Sequence, residues 1–188
     1  MRPVTEYNYN LAENMLERLN EEFGARKIVD KFYQAIRGKS QPEMERIAQE
    51  IFEDYGREWI RSTVRRAEEH HDRTYQVLKA AAESTGLYRF GIIPQRFLEI
   101  AYLAIQDFPS LPILECNARH LRYQIGDCTI FRELREKCGD ETARRMPCRH
   151  ACLSALRVLH EDLGIDAVVS MPRAMVSDGC CQFMASRA

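Results

Sequence analysis

Apolar residues recur every three or four positions through much of residues 1–108. The first two series are Leu11, Met15, Leu16 and Leu19, and then Ile28, Val29, Phe32 and Ile36. This spacing places each series on one face of an α-helix, and Gly24 and Gly38 follow the two series as stops. Residues 1–108 are therefore predicted to be mainly helical.

A capping box predicts where a third helix begins. Glu43 stands three residues after Ser40, with Pro42 between them at an early helical position. Beyond Gly56 the pattern predicts a separate, more polar helix or a pair of helices. A further helix follows Pro94.

Residues 109–188 follow a different pattern. In the stretch 113–125 apolar residues alternate with polar ones, first on even positions and later on odd positions. Alternation predicts β-structure, and the change of parity predicts a bulge or a tight turn near residues 117–120. A short helix is predicted from Cys128 to about Cys138.

The chain ends in a predicted hairpin over residues 167–184. Asp178-Gly179 is typical of a type I′ turn, and Pro172 places the first strand at an edge or a bulge. The prediction is a single α+β domain over residues 1–188, with a helical N-terminal half packed on a small antiparallel sheet.

A helix that carries two cysteines is predicted from Pro147 to Leu163, with Gly164 as its stop. Cys148 and Cys152 lie one turn apart on its apolar face. We expect that face to meet the core.

Two more cysteines are predicted to reach the same place. In the last strand Cys181 lies on the side of Phe183, the inward side, and another cysteine stands where the sheet passes into the short helix. We therefore expect one cluster, with Cys116 and Cys138 outside it, formed by Cys128, Cys148, Cys152 and Cys181. Four thiolates suit tetrahedral zinc or, alternatively, an iron–sulfur cluster.

Two other roles for these thiols stay open, namely reduced core packing and nucleophilic or redox chemistry. Cys148 lies in the first turn of a helix, beside Arg149, where positive charge lowers a thiol pKa. His150 is the nearest candidate base. Residues two apart point about 200° from each other around a helix, so Cys148 and His150 need another element between them to form a dyad.

Composition places the chain among ordinary globular proteins. It has 188 residues, is 45% hydrophobic and carries a formal net charge of -1, without the basic excess of a nucleic-acid binder. No apolar run approaches the roughly 20 residues of a membrane helix, and the start lacks the apolar segment of a signal peptide. We expect a cytoplasmic protein with a small-molecule ligand or substrate and no nucleic-acid or membrane partner, and we allow for a homodimer.

Three segments of the second half carry a family resemblance. They are Ile125-Gly-Asp-Cys-Thr-Ile-Phe131, Met146-Pro-Cys-Arg-His-Ala-Cys152 and Ser177-Asp-Gly-Cys-Cys-Gln-Phe183. Together with Leu19-Asn-Glu-Glu-Phe-Gly24, they resemble the L-2-amino-thiazoline-4-carboxylic acid hydrolase-like family, which is itself similar to 4-vinyl-reductase (V4R) domains. The chain departs from that family at Thr129, where a proline is usual, and at Arg149-His150 inside the cysteine pair.

The resemblance implies a V4R-like fold that encloses a small-molecule pocket, and a metal held by cysteines. The family activity is hydrolytic opening of a cyclic amidine. That reaction needs an activated water or thiolate, a donor to the ring nitrogen and a cation for the substrate carboxylate. The resemblance therefore implies catalytic roles for Cys148 and His150, and substrate binding by Arg119, Arg122 or Arg173.

The alternative is a non-catalytic V4R-like sensor or accessory protein that binds a metal or a small molecule. Aromatic residues of the N-terminal half are candidates to line its pocket: Phe32, Tyr33, Phe52, Tyr55, Trp59, Tyr75, Tyr88, Phe90, Phe97 and Tyr102. An enzyme requires polar groups that converge on the thiols. A sensor requires a closed four-sulfur site or a dry cavity.

Overall fold

The computed structural model describes residues 13–70, 73–85, 90–107 and 110–188, so Leu11 and Tyr88 lie outside the described residues. The first helices are α1 (Glu13–Phe23), α2 (Ala25–Ile36), α3 (Gln41–Glu69), α4 (Arg73–Thr85) and α5 (Ile92–Ile105). They are followed by β1 (Ile113–Cys116), β2 (His120–Ile125), α6 (Thr129–Cys138), α7 (Asp140–Arg144), α8 (Arg149–Asp162), β3 (Ala167–Arg173), α9 (Met175–Asp178) and β4 (Cys181–Arg187). The predicted α+β fold is confirmed.

Helix α3 begins at its predicted capping box, where the backbone N–H of Ser40 donates to the Glu43 carboxylate at 2.9 Å. The helix boundary predicted at Gly56 is wrong, because α3 continues through this residue for 29 residues in all. Gly56 lies against α8, and a Cβ there would stand 2.1 Å from the carbonyl oxygen of Ala151. The glycine serves the close approach of two helices rather than a helix end.

Helix α3 packs against α1, α2, α5 and α8, and α8 also contacts strands β3 and β4. The predicted inward face of α8 is buried, with Ala155, Leu156 and Leu159 each 1% exposed or less. Full burial of a leucine side chain stabilises a fold by about 2 kcal/mol. This face therefore anchors α8 between the helices and the sheet.

The sheet has the strand order β1-β2-β4-β3, and all its neighbouring pairs are antiparallel. The change of parity marks a tight turn between β1 and β2, as predicted. The Asn117 side-chain oxygen accepts hydrogen bonds from the backbone N–H groups of Arg119 and His120, both at 2.8 Å. The Asn117 side chain thus accepts backbone N–H groups of the turn in place of a strand carbonyl.

Strands β3 and β4 pair as predicted, and β3 is an edge strand whose register shifts between Ser170 and Arg173, around Pro172. The predicted type I′ turn is wrong. Helix α9 connects the strands instead, and only Gly179 adopts a left-handed backbone, with φ 68°. The Asp178 carboxylate accepts the backbone N–H of Ala174 at 3.0 Å, which stabilises the helical turn over a two-residue reversal.

Buried hydrophobic residues of the helices and the sheet form one continuous core. A row of aromatic rings crosses it from α3 through α5 to β2 and β4. Its neighbouring ring centroids lie 5.1 to 6.0 Å apart, in the order Tyr55, Trp59, Tyr102, Tyr123 and Phe183. Among the described helices, none combines the length and the hydrophobicity that are needed to cross a bilayer.

Candidate functional site

The predicted cysteines come from three elements. Cys148 directly precedes α8 and Cys152 lies one turn into that helix, while Cys128 directly precedes α6 and Cys181 begins β4. All of these side chains are buried, each 9% exposed or less. The structure thus brings together the ends of two helices and one strand.

The four side chains line one small space of about 10 Å³, which we call the thiol cavity. Its other lining residues are Tyr102, Ile125, Phe131, Met146, Arg149 and Phe183. Cys116 and Cys138 lie elsewhere, at the ends of β1 and α6. A space of this volume holds at most about one water molecule, so no organic substrate fits beside the thiols.

Burial controls the acidity of these thiols. It raises the pKa of Cys181 to about 12 and also raises the pKa values of Cys128, Cys148 and Cys152. Neighbouring cysteines add to the rise at Cys148, because two thiolates in one apolar space repel each other. The four groups are therefore protonated at neutral pH.

Polar side chains contact the thiol cavity from α5 and β2. The Tyr102 hydroxyl interacts with the Cys152 thiol and lies 3.2 Å from the Tyr123 hydroxyl. Buried Gln106 directs its Nε2 to the Cys128 sulfur at 3.8 Å, and its Oε1 accepts the backbone N–H of Thr129 at 2.7 Å. Gln106 could not be predicted as a site residue from the sequence, because a single polar residue after an apolar helix gives no periodic signal.

The donor chemistry of the four cysteines suits a soft metal, since sulfur is the preferred ligand of zinc and of iron–sulfur clusters. The placement of the four cysteines in the fold does not suit such a metal. In the described ranges, no three His, Cys, Asp or Glu side chains are grouped in a way that would hold a metal ion.

The predicted catalytic pair is not assembled in the structure. His150 does not line the thiol cavity; its Nδ1 lies 4.0 Å from the Glu53 carboxylate. Burial, with a smaller contribution from Arg149, lowers the pKa of His150. Because the two residues line different spaces, the imidazole of His150 is not placed to take the proton of Cys148.

The predicted substrate-binding arginines lie on the sheet or in the turn between β1 and β2, and none of them lines the thiol cavity. Arg119 is exposed in the turn between β1 and β2, and Arg173 is exposed at the end of β3. Arg122 lies 3.6 Å from the Glu115 carboxylate. The structure thus leaves these cations separate from the thiols.

A second cavity, of about 450 Å³, lies where α7 passes into α8; we call it the junction cavity. Its apolar lining comprises Phe32, Met44, Ala48, Met146, Pro147, Met171, Ala174 and Val176. Its polar lining comprises Glu45, Thr142, Arg144, Arg145, Arg149, His150 and Ser177. This volume lies in the usual range of small-molecule sites.

Met146 and Arg149 line both cavities. Met146 has φ 56°, and it is the one non-glycine residue with a positive φ in the described part of the chain. A left-handed backbone at such a residue costs of order 1 kcal/mol and persists only where the surrounding structure holds it. With this backbone conformation, the Met146 side chain lies in the wall between the two cavities.

Comparisons with known proteins add little to this picture. No protein-family model matches the chain, and no curated protein matches it. It resembles a solved structure from work on H-NOX activation at 11% identity and a TM-score of 0.32, over 92% of each chain.

Two further H-NOX structures are similarly distant. An oxygen-binding H-NOX domain related to soluble guanylate cyclases matches at 13% identity and a TM-score of 0.30, over 92% of this chain and 90% of that one. A third structure, from a study of heme distortion in the H-NOX family, matches at 12% identity and a TM-score of 0.29, over 91% and 88%. Scores this low carry no inference about function.

Proposed function

We propose that this protein is a non-catalytic small-molecule-binding module and that the junction cavity holds its ligand. The observation that carries the proposal is a ligand-sized space with a mainly apolar wall and converging polar groups, next to a thiol cavity that is too small for a substrate. The resemblance of the sequence to V4R domains supports the same class of function.

Binding is favoured over hydrolysis by the state of the thiols. A cysteine nucleophile acts as its thiolate, whereas burial holds the pKa of Cys148 well above its usual range. A general base must come within hydrogen-bond reach of the proton that it removes. Of the two cavities, His150 lines only the junction cavity, whereas Cys148 lines the thiol cavity. The parts of a hydrolytic site are present in the sequence but are separated in the fold.

The proposal is tested by blocking the junction cavity. Val176 lines it and is 46% exposed, so Val176→Trp fills space without opening the core. Val168 on β3 is 62% exposed and does not line it, which makes Val168→Trp a matched control. With naphthylacetamide as the probe, calorimetry should show saturable binding to wild type and to V168W, and about tenfold weaker binding to V176W. Absence of saturable binding of both naphthylacetamide and its carboxylate analogue naphthylacetate to wild type, or equal binding to V176W, rejects the proposal.

Two assays test the competing interpretations of the cysteines. Turnover of an aminothiazoline carboxylate by wild type but not by Cys148→Ser would favour a hydrolase of cyclic amidines. Stoichiometric zinc or iron in protein purified without oxygen, lost in Cys152→Ser, would favour the predicted metal site. We expect neither turnover nor bound metal.

A further inference from the structure

The junction cavity carries an excess of positive charge. Three arginines line it, Arg144, Arg145 and Arg149, against a single carboxylate, that of Glu45. Its histidine adds no charge at neutral pH, because burial lowers the pKa of His150. A ligand in this cavity therefore meets a positively charged rim.

The three guanidinium groups differ in what already neutralises them. Arg145 lies 3.5 Å from the carboxylates of both Glu45 and Glu141. Arg144 forms no ion pair within the described ranges, and its charge interacts only electrostatically with Asp140, which is paired with Arg135. Arg149 donates to the backbone carbonyl of Arg145 at 3.3 Å, and across the described ranges it forms no ion pair. Arg149 is thus a cation of this rim that no carboxylate neutralises within ion-pair distance.

A neighbouring space along α6 provides the contrast. This space, of about 490 Å³, is also lined by charged residues, including Arg132 and Arg135. Arg132 is held by Asp107 at 2.8 Å and by Asp127 at 3.0 Å, and Arg135 is held by Asp140 at 2.7 Å. An anion there would have to displace carboxylates, whereas an anion beside Arg149 would not.

The rest of the junction cavity is suited to an apolar body. Met44 of α3, Met171 of β3 and Met146 of the link between α7 and α8 line the same space. Methionine side chains are flexible and polarisable, and they adapt to ligands of different shape. Phe32 adds an aromatic wall.

We infer that the junction cavity selects organic anions, with a carboxylate at Arg149 and an apolar body against the three methionines. This inference rests on the proposed function and specifies its ligand class. A guanidinium group binds a carboxylate through two parallel N–H donors, so the preference should be for a planar oxyanion and not only for negative charge.

The test uses two probes of the same shape, naphthylacetate and naphthylacetamide, which differ in the charge of one group. Wild type should bind naphthylacetate about tenfold more tightly than naphthylacetamide at low ionic strength, and added salt should narrow the difference. Arg149→Gln should abolish the difference and leave the binding of the amide unchanged. Arg157→Gln, an exposed arginine later in α8 that does not line the cavity, should change neither affinity.

The outcomes separate the two proposals. Equal binding of both probes by wild type overturns the anion preference and leaves the proposed function in place. Binding of neither probe overturns the proposed function itself. An equal loss of preference in R149Q and R157Q would show that overall charge attracts the anion, and it would overturn the role of Arg149.

Discussion

Gly56 of α3 and Ala151 of α8 bring two helix backbones into contact, because a Cβ on residue 56 would stand 2.1 Å from the Ala151 carbonyl oxygen. Backbone cannot move aside as the end of a flexible side chain can. Gly56→Ala should therefore push α8 away from α3 and lower the free energy of unfolding by about 1 to 3 kcal/mol. Urea denaturation followed by circular dichroism measures the change.

Gly126→Ala is the matched control, since no heavy atom lies within 4 Å of a Cβ built at that residue. It should change stability by less than about 0.5 kcal/mol. Equal stability of the two alanine variants would contradict the close packing of α3 on α8.

Elements with a strong period were predictable from sequence. The four-residue spacing of Cys148, Cys152 and Leu156 identified the buried face of α8, and alternation identified β2. Gly56 was misread because a glycine that ends a helix and one that admits a second helix look alike in a sequence. The prediction of a tight turn at Asp178 was wrong because the Asp178 side chain caps a helical turn. Which of the two turns forms depends on local hydrogen bonds.

The candidate site was harder to predict than the fold. Periodicity predicted inward positions for Cys148, Cys152 and Cys181, and the end of the sheet did so for Cys128; the structure places all four around one space. The junction cavity was not foreseen, because its lining comes from segments near Phe32, Met44, Thr142 and Met171, and no pattern in the chain links them. The unpaired charge of Arg149 was also not predictable, because it depends on where carboxylates from distant segments lie in the fold.

Exposure should govern the order in which the cysteines react. Cys116 and Cys138 are half-buried, whereas the thiols of the thiol cavity are buried and protonated. Iodoacetamide at about pH 8 should therefore modify Cys116 and Cys138 first, while Cys148 reacts only as the fold opens. Peptide mass spectrometry over time gives the order, and modification in denaturant gives the unprotected rates. Fastest reaction at Cys148 in the folded protein would instead support a nucleophilic role.

Stability should fall at alkaline pH. The pKa of Cys181 rises from an ordinary 9.0 to about 12 in the fold, so above about pH 9 the unfolded chain loses a proton that the folded chain keeps. This thiol stabilises the fold fully below pH 9, and its contribution is lost between about pH 9 and pH 12, by up to about 1.4 kcal/mol per pH unit. Urea denaturation at several alkaline pH values measures the slope, which should be shallower in Cys181→Ala. If the unfolding free energy falls equally steeply with pH in Cys181→Ala, the Cys181 thiol does not cause the alkaline loss of stability.

Gln106 should be a stabilising residue of the thiol cavity. Its amide donates a hydrogen bond to the Cys128 sulfur and accepts one from the Thr129 backbone N–H. The residue is only 7% exposed. Gln106→Ala leaves the Thr129 N–H without this acceptor and should lower the free energy of unfolding by about 1 to 3 kcal/mol. Gln49→Ala, which removes an exposed hydrogen bond to Glu53, should cost less than about 0.5 kcal/mol. Similar losses in both variants would mean that Gln106 does not anchor the start of α6.

The position of α3 among α1, α2, α5 and α8 has a consequence for local opening. None of its four neighbours can detach without uncovering part of α3, so we expect the amide protons near Gly56 to exchange with solvent through opening of the whole fold. The strands β1 and β3 each have one unpaired edge and should exchange through smaller fluctuations. We therefore expect residues around the Gly56–Ala151 contact to be the slowest-exchanging part of the described chain, so that their protection factors report its global stability.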